Sequence, residues 1–237
     1  MPRFPPALRA CLLLAVLFPP GIARVYPREV QHHGLLFEHW IDDTFFDGYR
    51  APHYTQKWDV PAAINQRHGG IPVNPKVAKY RGPVDLGDAL RQFDIAEPFI
   101  LVVGYWQQDG DRKRVVNIVA PRIDPVVWRR LWGPVTRADI ERLDAVIKDR
   151  SLTPAQARAA ARKIKNAPPF TESVIVFNPK IDSKTQRRLQ CSLRFDDVFR
   201  HLAPEADRQP QNPPRLWDVA FPDLIESKPR AFAPREK

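Results

Sequence analysis

The chain has 237 residues, 43% of them hydrophobic, with a formal charge of +10 and a pI near 9.9. That apolar content excludes a disordered chain and suits one domain with appended segments. The excess of Lys and Arg favours a polyanionic partner through release of counterions from phosphates, unless the chain is basic over its whole surface for compositional reasons.

Residues 1–24 carry Arg3 and Arg9, an apolar run over 10–18, and small residues ending at Ala23. This is the layout of a signal peptide, and the run is too short to span a bilayer. Cys11 lies at the start of the run instead of after it, which argues against a lipid anchor. The rival reading is a start codon placed too far upstream. The first implies an exported protein and the second a cytoplasmic one.

The residues 33–46, "HGLLFEHWIDDTFF", place Leu36 and Trp40 on one stripe with Phe37, Ile41 and Phe45 beside it, which predicts an amphipathic helix containing Glu38. Next, "YTQKWDVP" and "IPVNPKVAKY" read as two strands joined by a turn at "NQRHGG". In "PVDLGDALRQF", Pro83 and the early acids predict a second helix, with Asp85 and Asp88 near its start. The run "PFILVVGYW" reads as a strand buried on both faces, with "KRVVNIVAP" as its neighbour. Helices are predicted over 137–148 and 154–165, the second capped by Thr153. A further strand is expected in "TESVIVFNPKID", while "SKTQRRLQCSLRFDDVFRHL" fits either element. From 204 to 237 the chain turns Pro-rich and aperiodic, a tail that packs loosely or stays mobile. The predicted fold is α/β: a mixed central sheet flanked by helices in a single domain over 25–203.

Two cysteines imply no disulfide framework, and Cys191 reads as a core residue. No Cys/His spacing has the pattern of a zinc site. Phosphodiester hydrolysis calls instead for carboxylates, because magnesium prefers hard oxygen donors, together with a cation near the attacking water. Asp59 closes one predicted strand, and strand alternation puts Asn74 and Lys76 on one face of the next.

A helix with an acid, a strand ending in Asp, and a strand carrying acid-x-Lys resembles the PD-(D/E)xK nuclease superfamily, which includes many restriction endonucleases. Glu38, Asp59 and Lys76 carry the resemblance, over residues 34–106. One departure is Asn74, where the family has an acid two residues before its lysine. Some restriction enzymes of the superfamily supply that acid from the following helix, and Asp88 stands twelve positions after Lys76.

The resemblance implies a restriction-endonuclease-like core and a magnesium-dependent DNA endonuclease. Asp59 and Asp88 would hold the metal with Asn74 as a weaker ligand, Lys76 would position the water, and Glu38 would support them. Lys79, Arg91, Gln92, Lys180, Lys184, Arg187 and Arg188 are candidate nucleic-acid contacts. The alternative is a catalytically inactive nuclease fold that binds DNA or another partner, its lost site recorded in Asn74. Each residue also has a plainer reading: Glu38 as an exposed helix acid, Asp59 as a turn acid. Lys76 and Lys79 could guard a strand edge, and Asp85 and Asp88 could favour a helix start. The tryptophans read as core. The oligomeric state is open, a homodimer included.

Overall fold

The computed structural model describes residues 29–52, 56–110, 112–182, 185–222 and 225–226. The expected leader, residues 1–24, lies outside the described residues, as does Lys184. No helix among the described residues is long and apolar enough to cross a membrane.

The fold is mixed α/β, with sheets between helices. The first helix is α1 (Glu29–Phe45), followed by β1 (Val73–Lys79), β2 (Val84–Asp88), the short α2 (Ala89–Phe93), and the long strands β3 (Phe99–Asp109) and β4 (Arg112–Val119). Then come β5 (Arg122–Ile123), α3 (Pro125–Leu131), α4 (Arg137–Lys148), α5 (Pro154–Lys165), β6 (Val176–Ile181), β7 (Arg187–Leu193) and α6 (Phe195–His201). Three short strands close the described residues: β8 (Arg215–Leu216), β9 (Val219–Ala220) and β10 (Ile225–Glu226).

One sheet runs in the order β1-β3-β4-β10, with β5 also on β3; β1 is parallel to β3, and β4 antiparallel to it. A second, antiparallel sheet has the order β2-β7-β6. β3 is buried on both faces, as its apolar run predicts, and its alternate residues divide two cores. Phe99, Leu101, Val103 and Tyr105 join Trp128, Trp132, Phe195 and Phe199 beneath the second sheet. Ile100 and Val102 face Phe37 and Ile41 of α1. Gly104 completes that second face: a Cβ there would stand 2.6 Å from the ring of Phe37, so only glycine lets α1 lie this close to β3.

Three expectations need correction. "YTQKWDVP" is not a strand in its described part; Val60 alone bridges Val73, and Asp59 sits in a bend. "PVDLGDALRQF" does not open as a helix. Val84 and Leu86 are buried and Asp85 is exposed, so the segment alternates and pairs with β7, and helix begins only at Ala89. The Pro-rich stretch from 204 is tied down as far as it is described. Leu216 and Phe221 are buried against α1, and Asn117 Nδ2 donates to the carbonyls of Asp207 and Gln209.

Helices α4 and α5 match the predicted spans, each closed by a capping box, from Thr136 and Asp139 and from Thr153 and Gln156. The ambiguous stretch from 183 divides into β7 and then α6. Cys191, Trp128 and Trp132 are core residues, as read from the sequence.

Candidate active site

β1 is the edge strand of its sheet, which is why Pro75, lacking an N–H, is tolerated there. Along this edge a cleft of about 1110 Å³ opens between α1 and the second sheet. Glu38, Asp59, Asn74, Lys76 and Asp88 all line it, with Arg91, Gln92, Lys180 and Arg188. Residues far apart along the chain are therefore brought to one opening.

Asp59 is placed by its neighbours. Trp58 is buried against Phe99, with its indole N–H donating to Glu97 at 2.9 Å, and Lys57 pairs with the same carboxylate at 2.6 Å. On the other side, Val60 and Val73 exchange two backbone hydrogen bonds. Between these anchors the Asp59 carboxylate accepts from Lys76 Nζ at 3.1 Å, and Lys76 also donates to the carbonyl of Pro75 at 2.7 Å. The lysine is thus turned toward the acid.

Two further carboxyls on α1 face this pair. Burial pushes the Glu38 carboxyl up to about 7, against the pull of Lys76 and with added repulsion from Asp59 and Asp42. Burial likewise pushes Asp42 up to about 7, opposed by Arg50, whose guanidinium lies 3.5 Å away. Asp42 is missing from the sequence reading. It stands four residues after Glu38 on a predicted helix, so the spacing that puts both on one face was available.

Asp88 reaches the cleft through a bulge. β2 pairs Asp85 with Ser192 but Gly87 with Cys191 and Asp88 with Gln190, so Leu86 is an extra residue. Without it, pleat alternation would send Asp85 and Asp88 to opposite faces; with it, both face the cleft. Gly87 adopts φ +91°, which other residues resist. Asp88 then caps α2, its Oδ1 accepting from Arg91 N at 2.9 Å, and Asp85 Oδ1 accepts from Gly87 N at 2.9 Å. Asp88 is thus a cap at the strand's end, and Asp85 is a strand residue, not part of a helix start.

Two of the remaining candidates do not join this group. Lys79 ends β1 exposed and away from the cleft. Arg187 is consumed by the fold, donating to the carbonyls of Ile147, Asp149 and Leu152. Lys184 is not described. Gln92 is buried beside the cleft, its Oε1 without a hydrogen-bond partner among the described residues.

Among the described residues no three His, Cys, Asp or Glu side chains already form a metal cage. Magnesium asks for less, one or two carboxylates with water and substrate oxygens completing its shell. Hard oxygen donors whose charge is penalised by burial fit such a cation, since it would relieve the repulsion among Glu38, Asp42 and Asp59. Comparison with family models, with curated proteins and with solved structures returned no match.

Proposed function

We propose that the protein is a magnesium-dependent DNA endonuclease of the PD-(D/E)xK type. The observation that carries this reading is the 3.1 Å pair of Lys76 and Asp59 at the mouth of a cleft that Glu38 and Asp88 also line. Asp59 and Asp88 would supply the carboxylates for the metal, and Asn74, buried at the same wall, would supply a neutral oxygen. When bound, magnesium would neutralise phosphate charge and make a water easier to deprotonate.

The chain's own residues do the rest. Lys76 holds its ammonium beside Asp59, where it orients the attacking water and offsets negative charge at the scissile phosphate. Glu38, whose carboxyl sits near neutrality, is suited to accept the water's proton at its carboxylate oxygen. Arg91 and Lys180 lie on the cleft wall where flanking phosphates would be held. The net charge of +10 supports a polyanionic substrate.

A second reading rests on Asn74: the same cleft binds DNA without cutting it, because the usual strand acid is neutral. Plasmid cleavage with magnesium separates the two. The nuclease reading expects cleavage that falls about 100-fold or more in Asp59→Ala and in Lys76→Ala. Cleavage unchanged in both variants would overturn the site. No cleavage by the wild-type protein, with binding retained, would favour the second reading.

A further inference from the structure

Facing the edge of β1, the second sheet turns one polar face into the cleft. Register sets Lys180 opposite Arg188 and Asn178 opposite Gln190. Pleat alternation therefore puts Arg188 and Gln190 on the cleft side of β7, with Gln186 lining the cleft just before the strand begins, while Leu189 and Cys191 point to the core. Lys180, Gln186, Arg188 and Gln190 all line the opening. Among the described residues, none of these four side chains is engaged in a hydrogen bond or ion pair.

The contrast with their neighbours is informative. Arg187, one position away on the other face, spends its guanidinium on three backbone carbonyls. Asn178 donates to Ser192 Oγ and to the carbonyl of Val176. The fold uses the polar groups it needs and leaves a row of two amides around an arginine open to the cleft.

Phosphate oxygens only accept hydrogen bonds, so a phosphate track needs donors alone. Glutamine offers an acceptor as well as donors, and base edges display both. Same-face residues of a strand recur about every 6.8 Å and base pairs stack about every 3.4 Å, so Arg188 and Gln190 are spaced for bases roughly two steps apart. β2 stops at Asp88, opposite Gln190, and beyond it β6 and β7 continue as a two-stranded antiparallel ribbon through Lys180 and Arg188, narrow enough to enter a major groove.

We propose that this face of β6 and β7 is a base-reading surface for duplex DNA, in which Arg188 and Gln190, with Gln186 beside them, select the sequence bound next to Lys76 and Asp59. The proposal rests on the nuclease reading for its substrate. It makes Arg188 a selector of guanine and Gln190 a selector of adenine, by the bidentate pairings each side chain favours.

The test is selection from a pool of random duplexes by the full-length Lys76→Ala protein in magnesium, followed by sequencing of the bound fraction. The expected result is an enriched motif. Arg188→Gln is expected to change the preferred base at one position from guanine to adenine, and Gln190→Ala to flatten another position by about 5- to 150-fold. Unchanged thermal melting of both variants checks that the fold is intact. Duplex binding with no motif, a motif unaltered in both variants, or no duplex binding at all would each overturn the proposal. A motif that shifts as expected, with plasmid cleavage indifferent to Asp59→Ala and Lys76→Ala, would sink the catalytic site and leave the reading surface standing.

Discussion

Replacing Glu38 with glutamine is expected to stabilise the protein at alkaline pH and to leave it unchanged in acid. Burial moves this carboxyl from 4.5 to about 7. Between those values the folded protein keeps a proton that the unfolded chain has released, so wild-type stability falls as pH rises through the window and levels off above it. A displacement of that size corresponds to roughly 3 kcal/mol once the group is fully ionised. Glu38→Gln removes the charge without changing the shape, so urea unfolding at pH 8 should show the variant more stable by up to about 3 kcal/mol, or roughly 6–12 °C in thermal melting. At pH 5, where the folded wild type holds Glu38 protonated, the two should differ little. Catalysis should move the other way, with cleavage lost in the stabilised variant. Equal stability offsets at pH 5 and pH 8, or a less stable variant at pH 8, would refute burial as the cause.

The buried carboxyls also make magnesium binding compete with protons. Calorimetric titration at pH 6.5 in buffers of different ionisation heat should show proton release on binding, with affinity rising toward pH 8; no buffer dependence would count against Glu38 and Asp42 as neighbours of the ion. Gly87→Ala puts a side chain at φ +91° where no atom lies within 4 Å of the new Cβ, so the cost is backbone strain of about 1 kcal/mol, read by urea unfolding. If the bulge straightens to relieve it, Asp88 leaves the cleft, and activity should fall further than stability. Gly104→Ala meets the buried ring of Phe37 at 2.6 Å and should cost about 1–3 kcal/mol; a neutral result would mean that α1 shifts freely on β3.

Much of the fold was legible because its signals are local. Thr136 and Thr153 announce the starts of α4 and α5 through side chains that satisfy the backbone three residues on. β3 declares itself as an apolar run with turn residues beyond it. The order Glu38, Asp59, Lys76, Asp88 along the chain was enough to suggest one site. Several plainer readings hold beside it: Asp88 caps α2, Asp59 lies in a bend and Lys76 and Lys79 sit on an edge strand, while Glu38 is only partly exposed and Lys76 pairs with Asp59.

The rest depended on pairing between distant segments. Pro83 and a cluster of acids imitate a helix start, and only β7 alongside turns residues 84–88 into a strand. No local pattern distinguishes Arg187 from Arg188, since which of the two is tied to carbonyls follows from the face that meets the α4–α5 connection. The one extra residue at Leu86 decides that Asp88 meets Asp59's cleft at all.

Composition and periodicity determined the element types, the basic character and the cast of acids, because each of these is set by residues within a turn or two of one another. Which acids share an opening, how far burial raises their affinity for protons, and which polar side chains remain uncommitted were decided by tertiary structure. Those properties depend on distances across the fold, and a chain acquires such distances only when its strands have paired.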